Sequence, residues 1–232
     1  MKKFYSFIQK ITEYSRIFAI NKGNVLMFHS VGIDNSEKNI SISVDKFKLI
    51  IDTIKNEKGQ FLSLDKIWLQ PDKKNYFITF DDIFISVYKN AFEILTSNNI
   101  PFAIFICVGL IGQKNYIDKK MLLDFVSYKN CTIGAHTLTH PKLRFENRDK
   151  SYKEIAESKV ILENLISKRI EYFAYPYGSL YACSRRDIDF AKKAGYAAAF
   201  STINSYLTKQ DLEFKYFMPR ININNYSYRK VL

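Results

Sequence analysis

From Asn24 onward, short uninterrupted apolar runs alternate with longer stretches whose apolar residues recur every three or four positions. "NVLMFHSV" reads as a buried strand ending at His29, and "YFITF", "PFAIFICVGL", "CTIGAH", "EYFAYPYG", "YAAAFST" and "FMPRINI" read as the strands that follow. Between them lie helical patterns. "SVDKFKLIIDTIKNEKG" has Ser43 or Asp45 near its start and Gly59 as its stop. After Asp82, residues Phe84, Val87, Tyr88, Ala91 and Leu95 share one helical face as far as Asn98 and Asn99. "DKKMLLDFVSYKN", "SYKEIAESKVILENLISKR" and "RRDIDFAKKAG" complete the set, the long middle one facing inward through Tyr152, Ile155, Ala156, Leu162, Leu165 and Ile166.

Strands that are apolar throughout, alternating with helices, imply an α/β fold: a mostly parallel sheet covered by helices, closed as a barrel or left open. Sites in such folds are built at the C-terminal ends of the strands. His29, Asp81, Asp82, His136 and Pro176–Gly178 all fall just past expected strands and would converge on one rim.

The N-terminal residues behave differently. Residues 1–23 form an expected amphipathic helix ahead of a domain over residues 24–232: Phe4, Phe7, Ile8, Ile11, Tyr14, Ile17 and Phe18 recur at helical spacing, accompanied by Lys2, Lys3, Lys10 and Arg16. Lys10, Glu13 and Arg16 interrupt what would otherwise resemble a signal peptide. The expectation is a cytoplasmic protein, with residues 1–20 either packed on the domain or lying peripherally on the inner face of a membrane.

The 232 residues carry a net charge of +12, which favours anionic partners. The basic residues are scattered, however, and no nucleic-acid motif is present, so no nucleic-acid partner is expected. Cys107, Cys131 and Cys183 are odd in number, widely spaced and without a CxxC. They suggest neither a disulfide frame nor a thiolate metal site, and they fit a reducing compartment.

Chemistry concentrates in two short motifs. "YFITFDDIF" ends an apolar strand on two adjacent aspartates, and "GAHTLTHPKL" holds His136 and His140, two of the three histidines in the chain. Gly134 before them and Pro141 after them favour a loop or single turn over a helix. Two imidazoles and a carboxylate make a three-ligand site with open positions, suited to zinc and similar divalent ions. One aspartate can ligate the metal, and the other can stay ionised beside it as a general base. Capping of the following helix is the simpler use of one of them.

In combination these residues resemble the polysaccharide deacetylases, the NodB-homology or carbohydrate esterase family 4 group. "TFDD" (Thr79–Asp82), "HTLTH" (His136–His140), "FAYPYG" (Phe173–Gly178), "AKKAGYAAAFST" and "MPRINI" look like its successive motifs, over roughly Val25 to Ile223. The resemblance implies a distorted (β/α) barrel of about seven parallel strands. It also implies a hydrolase that releases acetate from an N-acetylated sugar in a glycan, or from a lipid- or nucleotide-linked precursor. Asp81 would be the base. Asp82, His136 and His140 would be the ligands of a divalent metal, zinc before cobalt, nickel or manganese. The Tyr177 N–H would meet the developing oxyanion, and Thr137 would brace the histidine loop. The chain departs from the family pattern at Ala174, where an arginine is common, and in "PRINI", which has Arg220 and no histidine. His29 is then the candidate proton donor, and Arg220 the candidate replacement for the arginine missing at Ala174. Tyr175, Tyr177 and Tyr181, near the third motif, serve either rim packing or stacking on sugar rings.

Two rival readings differ in class. A two-histidine, one-carboxylate iron oxygenase shares the donor set but favours a double-stranded β-fold. A degenerate barrel that binds glycan or membrane without turnover would account for both departures.

Overall fold

The apolar runs become the staves of a barrel. The computed structural model describes residues 22–32, 39–69 and 71–230. Seven parallel strands form its wall: β1 (Lys22–Phe28), β2 (Asn75–Asp81), β3 (Phe102–Ile106), β4 (Cys131–Ala135), β5 (Tyr172–Ala174), β6 (Ala198–Asn204) and β7 (Met218–Asn222). Each pairs with the next, and the wall shuts where β1 meets β7 at Leu26–Ile221 and Met27–Asn222. This is the closed (β/α) barrel expected. The helix and membrane contact expected of the N-terminal residues lie outside the described residues up to position 21, while Lys22 and Gly23 already belong to β1.

Helices α1 (Val44–Asn56), α2 (Phe92–Ser97), α3 (Lys119–Ser127), α4 (Arg148–Ile166) and α5 (Arg185–Lys193) follow strands and cover the outside. Their starts are fixed locally. Ser43 Oγ accepts from Lys46 N, Asp118 from Met121 N and Asn147 from Lys150 N, and Ser184 with Asp187 forms a capping box. Every second strand residue faces out. Leu26, Phe28, Ile78, Phe80 and Ile104 pack there against Phe47, Ile50, Leu95 and Phe125 of the helices. The alternate residues, among them Val25, Phe77, Ala103, Phe105, Phe200 and Met218, fill the barrel itself. Gly134 on β4 leaves room for Phe105: a Cβ there would lie 2.5 Å from the Phe105 ring. Phe77, Thr79 and Asp81 share the inward phase of β2, so the packing that buries Phe77 also aims Asp81 into the barrel mouth.

Candidate active site

At the end of β2 the chain turns sharply. Asp82 and Ile83 are both left-handed, with φ of 62° and 61°, and the Ile83 N–H donates to the Asp81 carbonyl at 2.7 Å. A β-branched residue at positive φ is strained and persists only where its surroundings enforce it. Among the described residues nine non-glycine residues have positive φ, and five of them (Asp82, Ile83, Thr137, His140 and Tyr177) belong to this rim. The strain therefore concentrates where the candidate chemistry lies. Neither aspartate caps a helix: the next N-cap position is Ser86, without a side-chain cap.

Asp81 is held from beneath. The Arg220 guanidinium donates to its two carboxylate oxygens at 2.7 and 2.6 Å and to Thr79 Oγ1 at 3.2 Å, while Arg220 Nε donates to the Ser201 carbonyl at 3.0 Å. Its guanidinium carbon lies 5.4 Å from the Phe105 ring centroid and 5.9 Å from that of Phe200. Arg220 is fully buried. It is not in the pocket wall and reaches the site only through Asp81. Burial opposes the Asp81 charge, but Arg220, with His136 and His29, more than offsets it and holds the carboxyl below the usual range.

Asp82 faces His136 and His140. Its Oδ1 lies 3.3 Å from His136 Nε2 and 3.0 Å from His140 Nε2. His136 Nδ1 lies 2.7 Å from the Ala174 carbonyl, which accepts its proton and leaves the Nε2 lone pair pointing at the carboxylate. A carboxylate oxygen facing such lone pairs needs a cation or a proton between them. Asp82 Oδ1 is buried and has no hydrogen-bond partner of its own. Ligand atoms of Asp82, His136 and His140 lie within 4.8 Å of one another. Two nitrogens and one oxygen, itself an orphaned acceptor, fit a divalent ion.

The histidine loop is braced as well as bent. Thr137 Oγ1 accepts from the His140 N–H at 3.1 Å. Glu154, buried on α4, accepts from the Leu138 and Thr139 N–H groups at 2.9 Å each and from Thr139 Oγ1 at 2.6 Å. The sequence reading passed over Glu154. The signal lay in the buried stripe Ser151, Glu154, Ile155, Ser158 and Leu162, whose small polar members hide the helical period. Glu154→Gln is expected to weaken divalent-ion binding about 10- to 100-fold, because supports of ligating residues carry that much affinity. Cobalt titration of the metal-free chain, with its melting temperature alongside, checks this; unchanged affinity would mean the loop holds its shape without the carboxylate.

His29 follows β1. Ser30 Oγ is 2.9 Å from Ser86 Oγ, and Asn90 Nδ2 donates to the Val31 carbonyl at 2.6 Å, which pins the segment after it. His29 is half-buried, with Nδ1 enclosed and unpartnered. Burial lowers its pKa, and the Asp82 and Asp81 carboxylates restore only part of that.

A pocket of about 510 Å³ opens between these groups, lined by His29, Asp81, Asp82, His136, His140 and Tyr177 among others. Of Tyr175, Tyr177 and Tyr181, Tyr177 alone lines it, with Tyr116 from another loop also in the lining. The Tyr177 ring packs on His140 with centroids 4.8 Å apart, and its carbonyl accepts from Thr202 Oγ1 at 2.7 Å. Tyr175 is core, its hydroxyl donating to the Tyr216 carbonyl at 2.9 Å. Tyr181 packs on Phe145 instead, with the ring planes tilted by 59°. Cys107 is buried filling, its Sγ donating to the Leu138 carbonyl at 3.3 Å, and burial pushes its thiol up to about 12.

The closed parallel barrel gathers two carboxylates and three imidazoles at its C-terminal rim, where folds of this kind build their sites. It does not match the double-stranded β-fold of the iron oxygenases. The polysaccharide deacetylase family model matches residues 69–199, and the chain belongs to that family. It is a carbohydrate N-deacetylase, a hydrolase, and the non-catalytic reading is not favoured. Among known proteins it is similar to the poly-β-1,6-N-acetyl-D-glucosamine N-deacetylase of Staphylococcus aureus (strain MRSA252). The two are 29% identical over 216 residues, which cover 84% of this chain and 72% of that relative. In fold it matches the Streptococcus pyogenes deacetylase PplD solved with acetate (TM-score 0.80, 23% identity, 90% of this chain and 96% of that one). It also matches IcaB from Ammonifex degensii (TM-score 0.78, 22% identity, 91% and 95%).

Proposed function

We propose that this chain removes N-acetyl groups from a glycan of the poly-β-1,6-N-acetyl-D-glucosamine type in a reaction that depends on a divalent metal. The observation that carries the proposal is the orphaned Asp82 oxygen facing His136 and His140, beside an Asp81 kept ionised by Arg220. The name of the Staphylococcus relative supports the sugar.

Asp82, His136 and His140 would hold the ion, with zinc the best match to two imidazoles and a carboxylate. When bound, it polarises the acetamide carbonyl and makes water a stronger acid. Asp81 draws the proton from the attacking water, its carboxylate oriented by the two Arg220 hydrogen bonds. The Tyr177 N–H donates to the oxygen that gains charge. His29, neutral at rest near neutral pH because burial lowers it, accepts the proton that a weak base like Asp81 does not keep. It passes that proton to the amide nitrogen as the C–N bond breaks, and acetate and a free amine leave.

Metal content and acetate release test this together. About one divalent ion per chain is expected, absent from Asp82→Ala and His136→Ala, with acetate freed from the glycan only by the loaded protein. Acetate release that survives in Asp82→Ala would end the proposal.

A further inference from the structure

The loops that follow β4 and β5 leave the rim side by side, and both carry an aromatic ring outside the pocket. Phe145 is 54% exposed, unusual for a phenylalanine, and its ring lies against Tyr181 with centroids 5.1 Å apart. This display is firmly built. The Arg144 N–H donates to the Ala182 carbonyl at 2.9 Å, and its guanidinium donates to the Leu180 and Cys183 carbonyls at 2.9 and 2.6 Å. Arg186 donates to the Leu143 and Glu146 carbonyls at 2.7 and 3.1 Å. Both sides of Phe145 and both sides of Tyr181 are thereby tied to each other or to α5.

The pair is continuous with the pocket. Lys142 stands between, its ammonium 5.1 Å from the Tyr177 ring centroid, and Tyr177 packs on His140. The Lys142 carbonyl accepts from the Phe145 N–H at 3.0 Å, so Tyr177 and Lys142 link a candidate metal ligand to the Phe145–Tyr181 pair. A polymer whose reacting sugar lies in the pocket must leave over that rim. The apolar C–H face of a pyranose ring suits an aromatic face that is already rigid, since little freedom is lost on binding.

We propose that Phe145 and Tyr181 form an accessory platform that stacks against a neighbouring sugar of the same glycan chain whose acetamide lies in the pocket. The proposal rests on the glycan reading above and assigns the platform to substrate length, not to chemistry.

The test compares Phe145→Ala and Tyr181→Ala with the parent protein on long poly-β-1,6-N-acetylglucosamine and on its disaccharide. Each change is expected to raise KM for the polymer about 3- to 10-fold, the scale of one aromatic contact, with kcat on the polymer and kcat/KM on the disaccharide unchanged. Equal losses on both substrates, or none on either, would overturn it. So would an altered oligomeric state with polymer KM unchanged, which would make this face a protein contact. Affinity electrophoresis of the metal-free protein in polymer separates the two proposals. If the metal-free parent is retarded but the metal-loaded parent releases no acetate, the catalytic reading fails, and the platform is upheld only if Phe145→Ala loses the retardation. A parent protein that is not retarded removes the platform.

Discussion

Asp81→Asn is expected to lower acetate release by a factor of about 10²–10⁴, the usual contribution of a positioned general base, with metal content unchanged. The two halves of that expectation have separate physical origins. The candidate ion would be held by Asp82, His136 and His140, and Asp81 lies outside that cluster. The amide of asparagine cannot accept the proton that Asp81 would take from water. It also leaves Arg220 buried opposite a neutral group, so the melting temperature will fall, and rates should be compared well below it. Activity retained at full metal loading would remove Asp81 from the base role.

The second large effect belongs to Arg220. Arg220→Met should destabilise the fold by about 3–5 kcal/mol, because it strips the counterion from a carboxylate buried to 1% exposure. Its pH signature distinguishes charge from packing. In the parent protein the folded-state pKa of Asp81 is depressed. The pair therefore contributes stability that is fully present above the ordinary carboxylate pKa and is lost as pH falls through the depressed value. Without Arg220, burial dominates and the folded pKa rises above the unfolded one. Protonation then relieves the variant, and the stability gap between variant and parent should close on going from neutral pH to about pH 4. Urea unfolding midpoints across that range measure the gap. A gap that stays constant would assign the loss to the missing contacts with Phe105 and Phe200 instead.

Arg220 also shows where sequence reasoning reaches its limit. "PRINI" offers an arginine in an apolar run, and nothing local says whether it points to solvent or into the barrel. The answer depends on closure between β7 and β1, a non-local event. The strands themselves were legible because segments buried on both faces are apolar throughout. Asp82, His136 and His140 were legible because few environments call for that donor set. Glu154 was not, since a glutamate on a charge-rich helix looks like its solvated neighbours until the loop it braces is seen. Period-two reading of β5 separates the tyrosines in retrospect. Tyr172 and Ala174 face the barrel interior, so Phe173 and Tyr175 face the helices, while Tyr177 and Tyr181 lie in the loop beyond that pattern.

Closure of the wall has a further consequence for how the enzyme comes into being. His29 follows the first strand and Arg220 sits on the last, and the two strands meet only in the finished barrel. A chain emerging from the ribosome would display Asp81, Asp82 and all three histidines before β7 is made, yet Asp81 would have no cation opposite it. The contact that supplies that cation spans most of the sequence and carries the cost of closing the longest loop. Competence would thus arrive in one late step. Acetate release would then report complete folding, with no partly active intermediate to escape beforehand.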